Sequence, residues 1–323
     1  MDTVAYIVVC WNNQDLLDEC LKSIQGQDYK NKKIIVVDNA SADTSVQFIK
    51  DNFPEVEVLE QAVNHAFAKG NNIGIAHALK DDSVKYIALI NSDATLDAWW
   101  TDTLISFAEK KTRVAALQTI TLDYFDHSTI DSTHIYISHN GQATQASWRR
   151  PILPGTDVAP QKVFGCNAAA VIFTRDFIEK QPFKTFFDET MWMYLEDVDV
   201  ATRATVMGWD NYTVPGARAY HMGSASSSKN PGFSLYYTFR NNIGLLVKNL
   251  PLIIIIRLLP KLIRGDIDTL KVLWRTGRKD SVKYVVKGRV VGLLRLPLFI
   301  VKRPRVKRTM DTMELWRLML RGF

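Results

Sequence analysis

The sequence predicts an α/β protein with a mostly parallel central sheet and flanking helices, followed by a basic amphipathic helical region. Three observations carry this expectation. Strand-like and helix-like segments alternate through the first 120 residues, two strand-like segments end in an acid (VVDNAS at 36–41 and IALINSD at 87–93), and the charge divides near residue 250. Alternation of this kind calls for parallel strands joined by crossover helices. Acids that close such strands emerge together at the carboxyl edge of the sheet, where open α/β proteins bind ligands.

In chain order, the apolar run 4–10 reads as the first strand, 15–25 as a helix, 33–37 as a strand, 42–52 as a helix and 56–60 as a strand. A helix at 70–79, a strand at 86–90, a helix at 99–110 and a strand at 114–119 continue the pattern. From 122 to 160 the helical period vanishes, and polar pieces with Gly and Pro predict hairpins or long loops over the sheet edge, a usual source of substrate contacts. The apolar run 167–173 returns to the core. Residues 196–207 read as a helix that brings in Glu196, Asp197 and Asp199 at its first turn.

Residues 1–250 hold 22 Lys+Arg against 29 Asp+Glu, a net −7, while 251–323 hold 18 against 5, a net +13. The chain thus divides into an acidic body, 1–250, and a basic tail, 251–323. The tail's apolar bursts are broken by Arg257, Pro260, Arg295 and Pro297, short of the roughly 20 apolar residues that a membrane span needs. They read as helices lying in a membrane interface, with a cationic rim in which each Lys or Arg is worth about 1 kcal/mol against anionic headgroups. The alternative is a helical subdomain packed on the body, or on a second copy to give a homodimer. Nucleic acid is the poorer partner, because apolar bursts suit lipid better than a phosphate backbone.

Cys10, Cys20 and Cys166 are odd in number and widely spaced, against a disulfide framework or a zinc site and in favour of a reducing compartment. With strand-like VAYIVVC directly after the start, no signal peptide is expected. The expectation is a cytoplasmic protein, peripheral on the inner face of the cell membrane.

An Asp after a strand often caps the next helix, and that reading stands beside a functional one for Asp38. Asp93 has no obvious basic partner, and a carboxylate there suits Mg²⁺ or Mn²⁺, which in turn binds diphosphate. Asp197, late in the chain, suits a base acting on an incoming hydroxyl, a contribution of about 10²- to 10⁴-fold. Favourable charge at a helix N-terminus accounts for the same acids.

The segments VVCWNN (8–13), VVDNASAD (36–43), NHAFAKGNNIGI (64–75), NSD (91–93), DSTH (131–134), GCNAAAVIFTR (165–175), YLEDVDVATRATVMGW (194–209), AYHMGS (219–224) and YYTFRNN (236–242) occur in this order. Together they resemble the family-2 inverting glycosyltransferases of GT-A fold, a Rossmann-like architecture, and within them the rhamnosyltransferase-like branch. The resemblance implies transfer of a sugar, with a deoxyhexose such as rhamnose expected, from a dTDP- or UDP-linked donor. The acceptor it implies is a hydroxyl of a polyprenyl-diphosphate-linked or polysaccharide chain in cell-surface glycan synthesis. It also implies Asp38 on the nucleobase beside the backbone of Cys10 and Trp11, with Asn71, Asn91, Ser92 and Arg240 around the nucleotide sugar. Asp93 and His221 would be metal ligands, and Asp197 the catalytic base.

Some residues depart from the family pattern. NSD has one carboxylate where many relatives have two, so a metal must draw on His221, Asp97 or water. His65 stands where relatives tend to have Gly, and His134 follows DST where Gly is frequent. A nucleotidyltransferase would instead need a Gly-rich basic loop after the first strand, where this chain has WNNQDLLDE. A non-catalytic nucleotide-sugar-binding protein of the same fold stays open.

Overall fold

The computed structural model describes residues 2–156, 158–223 and 231–320. Strands and helices alternate as β1 (Thr3–Cys10), α1 (Gln14–Gln25), β2 (Lys32–Asp38), α2 (Ser45–Asn52), β3 (Glu57–Glu60), α3 (Ala66–Ala78) and β4 (Val84–Ile90). After β5 (Ala94–Leu96), α4 (Trp100–Ala108) and β6 (Val114–Asp123) come the short strands β7 (Ile130–Ser132), β8 (Ile135–Ile137), β9 (Ala143–Gln145) and β10 (Gln161–Val163). Then follow β11 (Ala170–Thr174), α5 (Arg175–Glu179), α6 (Glu196–Val206), β12 (Asp210–His221) and α7 (Pro231–Asn249). The tail forms α8 (Leu252–Arg275), α9 (Lys279–Leu294), α10 (Leu296–Lys302), a 3₁₀ turn at Arg303–Arg305 and α11 (Thr312–Leu320).

The main sheet runs β10-β12-β6-β11-β4-β1-β2-β3, with β5 on β12 and β7 on β6. β3, β2, β1 and β4 are parallel, and β11 lies antiparallel between β4 and β6. Both faces are covered, which is why the strands read as nearly unbroken apolar runs. Tyr6 and Val8 of β1 enter one core layer and Ala5 and Ile7 the other, as the two-residue period of a strand requires. α1 covers one face through Leu17, Cys20, Leu21 and Ile24, at the spacing of a single helix stripe. The piece between 122 and 160 forms β7 on the sheet and a separate β8-β9 hairpin, as expected.

The tail packs on α7. Ile254, Leu258, Leu262, Phe299, Val306, Leu315 and Met319 share a third core with Val198 of α6 and Leu245 of α7. α9 lies directly on α7, with Gly288 and Gly292 one helical turn apart at the crossing. A Cβ on Gly292 would fall 2.6 Å from the Arg240 carbonyl oxygen, and one on Gly288 2.5 Å from that of Tyr236. Side chains there would hold the helices apart. Among the described residues no helix is long and apolar enough to cross a membrane.

Candidate active site

Parallel register places the ends of β1 and β2 side by side, Cys10 opposite Asp38. Asp38 is buried; one carboxylate oxygen accepts from the Ser41 backbone N–H at 3.1 Å, and Oδ1 has no partner among the described residues. A buried acceptor left open in this way is set for a donor from a ligand. The two strand-end loops are stitched together, because the Asn39 N–H donates to the Cys10 carbonyl at 2.9 Å and the Asn12 N–H to Ser41 Oγ at 3.0 Å. Trp11 is half exposed beside them. Burial pushes the Cys10 thiol up to about 11, so Cys10 offers its backbone and no thiolate. Asn71 is buried in α3 and turns its amide back onto the Phe67 carbonyl at 2.9 Å.

After β4, Asn91 donates its backbone N–H to the Ala169 carbonyl at 2.8 Å, and Ser92 Oγ pairs with the Asn13 amide. Asp93 Oδ1 lies 3.3 Å from His221 Nε2 at the end of β12, and the other ring nitrogen lies 3.1 Å from Asp131 Oδ2. Burial alone would lower the His221 pKa, but its hydrogen bonds to the Asp131 and Asp93 carboxylates outweigh it and push it up to about 10. With both ring N–H groups donating to carboxylates, Asn91 Nδ2, 3.3 Å from Nε2, is a neighbour and not a donor to the ring.

Asp131 is thus the second acid at His221. The alternative metal helper named above, Asp97, is engaged elsewhere. Its carboxylate accepts from the Arg218 backbone N–H at 2.7 Å and from the Tyr220 hydroxyl at 3.1 Å. His134 is kept neutral, pushed down to about 4 by burial. Ser224 of the AYHMGS segment lies outside the described residues.

No group of three or more His, Cys, Asp or Glu side chains among the described residues makes a metal cage. Asp93 and His221 nonetheless fit a cation that takes its remaining ligands from phosphate and water, as Mg²⁺ and its relatives do. Asp131 on the second ring nitrogen would supply the carboxylate backing that a metal-ligating histidine needs. A cation held by Asp93 and His221 would require Nε2 to give up the proton it now shares with Asp93.

The other wall is the first turn of α6. Asp197 Oδ1 accepts from the Val198 N–H at 2.7 Å, and the carboxylate also accepts from the Ala168 N–H. Desolvation raises the Asp197 pKa despite these donors. Glu196 is buried, its Oε2 has no partner among the described residues, and burial together with the Asp197 charge pushes it up to about 8. A proton kept on Glu196 leaves the negative charge to Asp197. Ala168, whose N–H favours the charged form of Asp197, directly precedes Ala169, whose carbonyl accepts from the Asn91 N–H. This backbone link joins the two walls, and two alanines gave no sequence signal for it.

Asp199 faces inward. Its carboxylate meets Arg203 Nε at 3.2 Å, Lys248 Nζ at 2.8 Å and the Asn249 amide at 2.7 Å, and Lys248 also pairs with Asp188 at 2.7 Å. Arg240 is buried, stacked 4.3 Å from the Tyr237 ring centroid, and its guanidinium donates to the Thr190 and Met191 carbonyls and to Asn241 Oδ1. Carbonyl and amide oxygens, not a carboxylate, receive this fork. Burial and the nearby Arg295 charge lower its pKa.

A mostly parallel α/β sheet with buried acids gathered at its carboxyl edge is the usual setting of a ligand-binding site. In overall fold the chain is similar to GalNAc-T7, solved with UDP, GalNAc and Mn²⁺ (TM-score 0.58, 14% identity, 77% of this chain and 48% of that one). It is also similar to the mannosyltransferase PcManGT from Pyrobaculum calidifontis, solved with GDP-Man and Mn²⁺ (TM-score 0.54, 16% identity, 90% and 86%). The architecture is GT-A. Residues 6–196 match the family "Glycosyl transferase family 2", and the chain belongs to that family. One curated relative is the GalNAc(5)-diNAcBac-PP-undecaprenol beta-1,3-glucosyltransferase of Campylobacter jejuni, 27% identical over 110 residues, 34% of this chain and 36% of that protein. The chain spans about a third of the length of the curated relatives it matches.

Proposed function

We propose that the chain is an inverting glycosyltransferase that moves a sugar, a deoxyhexose such as rhamnose, from a dTDP- or UDP-linked donor to a hydroxyl of a polyprenyl-diphosphate-linked or polysaccharide acceptor. The observation that carries the reading is the contrast between two acids on opposite walls of one sheet edge. Asp93 is paired with His221, whereas Asp197 is met, among the described residues, by backbone N–H groups and has a raised pKa.

In this reading the open Oδ1 of Asp38 accepts an N–H of the nucleobase, beside the backbone of Cys10 and Trp11. Asn71, Asn91 and Ser92 border the donor, and Arg240 serves its diphosphate side. Asp197 takes the proton of the acceptor hydroxyl as that oxygen attacks the anomeric carbon from the face opposite the nucleoside diphosphate. A raised pKa makes Asp197 a stronger base than an ordinary aspartate, and neutral Glu196 beside it avoids a second buried charge. Mg²⁺ or Mn²⁺ held by Asp93 and His221 would supply charge neutralisation of the departing diphosphate. The Mn²⁺ in both structural neighbours and the undecaprenol-linked acceptor in the relative's name support this assignment.

We place the enzyme on the inner face of the cell membrane, held by the tail 251–323 and not by a span. α8 has two apolar stripes. Ile254, Leu258, Leu262 and Leu273 face the protein, whereas Ile256, Leu259, Ile263, Ile267 and Trp274 are exposed among Arg257, Lys261, Arg264 and Lys271. An apolar stripe with a cationic rim matches an anionic lipid surface. The full chain is expected to sediment with anionic vesicles in a salt-sensitive way, and replacing Ile256, Leu259, Ile263 and Ile267 by Gln to abolish it. Unchanged sedimentation, or dimer-to-monomer conversion without vesicle binding, would assign that stripe to something other than lipid.

The transfer itself is tested by offering dTDP-, UDP- and GDP-sugars with Mg²⁺ or Mn²⁺ to polyprenyl-diphosphate-sugar acceptors. Acceptor-dependent release of nucleoside diphosphate is expected from one donor. Nucleotide binding without release from any donor would favour the non-catalytic reading.

A further inference from the structure

The turn 188–195 that delivers Glu196 and Asp197 runs against backbone preference. Trp192, Tyr194 and Leu195 sit at φ of +66°, +65° and +68°, a left-handed region that residues with a Cβ rarely occupy. Such conformations persist only where the surroundings over-determine them. From α7, the Asn241 amide donates to the Met191, Met193 and Tyr194 carbonyls, and Arg240 to Met191.

The tail contributes as well. Arg295 Nη2 donates to the Thr190 carbonyl at 2.6 Å, and Lys302 Nζ donates to Asp188 Oδ1 at 2.6 Å and to Thr190 Oγ1 at 3.1 Å. Arg295, the residue that caps the start of α10, is spaced i, i+4 and i+7 with Phe299 and Lys302, so the three lie on one face. Phe299 is buried with its ring against Gly244 of α7. That contact anchors the face whose two ends grip the turn.

We propose that Arg295 and Lys302 of the tail are positioning residues for Asp197, holding turn 188–195 so that the base is presented to the acceptor. The tail then has a role in the chemical step beyond any contact with lipid. The kinetic side rests on the proposed transfer, and the turn-holding side does not.

The test uses the full chain with Lys302→Met, Arg295→Met and the conservative Lys302→Arg. Asp188 keeps Lys248 in the Lys302 variants, and Arg295 is only half-buried, so the fold is expected to survive. Hydrogen exchange of the unliganded protein should quicken across 188–197 in both Met variants, with exchange in β1 and β4 unchanged. Since misplacing a reacting group by about 1 Å costs about 100-fold, kcat should fall by about 10- to 100-fold. The loss should fall on kcat more than on donor KM, because Asp38 and Asp93 lie on other segments and Arg240 is the one proposed donor contact bonded to this turn, and Lys302→Arg should restore kcat and protection together.

Unchanged exchange in both Met variants would overturn the proposal, whatever the activity. So would faster exchange with an unaltered kcat, or a rise in donor KM alone. A wild-type chain that transfers nothing would instead overturn the transferase reading, and faster exchange in the variants would still support the turn-holding role.

Discussion

Replacing Lys248 by Met probes the ionic cluster that joins α6, turn 188–195 and α7. Lys248 and Asp199 have fully buried side chains and that of Asp188 is 5% exposed, so the lysine sits between two carboxylates with almost no solvent. Met keeps most of the volume and removes the charge. Breaking a buried pair from one side costs about 3–5 kcal/mol. Asp188 retains Lys302, and Asp199 retains Arg203 and Asn249, which sets the expectation at the low end, about 3 kcal/mol. At about 2–4 °C per kcal/mol for a large domain, the thermal midpoint should drop by about 6–12 °C at pH 7.

The pH dependence gives a second constraint on that variant. Burial would raise the Asp188 pKa, but Lys248 and Lys302 outweigh it and hold the carboxyl well below the usual range. A depressed carboxylate contributes stability that is present above its unfolded pKa, about 3.9, and is lost as pH falls through the folded value. The gap between wild type and variant should therefore be full at pH 7 and narrow below about pH 4. Melting followed by circular dichroism at one scan rate reads both. A midpoint within about 2 °C of wild type at pH 7 would refute the assigned burial of charge, and a gap that stays constant into acid would refute its link to Asp188.

Glu196→Gln tests the raised pKa of Glu196. Because the folded acid keeps its proton to about pH 8 while an unfolded one loses it near 4.3, wild-type stability should decline as pH rises between those values. The Gln variant should lose that decline, and parallel midpoint-versus-pH curves would dismiss it. Gly292→Ala should lower stability by about 1–3 kcal/mol through overpacking of α9 on the Arg240 carbonyl, measured by denaturant unfolding. An unchanged midpoint would mean that the helices do not approach as closely as described.

Much of the sheet was legible because its strands are buried on both faces and announce themselves as apolar runs ending in an acid. Asp38, Asn91 and Asp93 could be placed at one edge on that basis alone, whereas Asp197 sits in the first turn of a helix and was placed through the family resemblance. The ends of helices were less legible. α2 starts at Ser45, not 42, because the Asp43 side chain accepts the Ser45 N–H, and α3 starts at Ala66, one turn ahead of Gly70.

The misses are long-range pairs. Asp131 reaches His221 from a three-residue strand within an aperiodic insertion, 90 positions away, whereas Asp97 had only closeness in sequence to Asp93 in its favour. Lys248, in the last turn of α7, carried no sequence signal, and it is fully buried between two acids. The tail's basic amphipathic composition was plain, but that one stripe of α8 faces the protein follows only once α7 is in place. Arg303 and Arg308 likewise close the Leu250, Lys248 and Asn249 carbonyls. Truncation after Asn249 would therefore uncover the body as well as remove the tail.

The most direct test of the central claim is Asp197→Asn in the full chain, with single-turnover transfer and nucleotide affinity measured side by side. The account predicts a fall in the rate of transfer of about 10²- to 10⁴-fold with nucleotide affinity unchanged. Transfer at the wild-type rate would contradict it, and would remove Asp197 from the role of base.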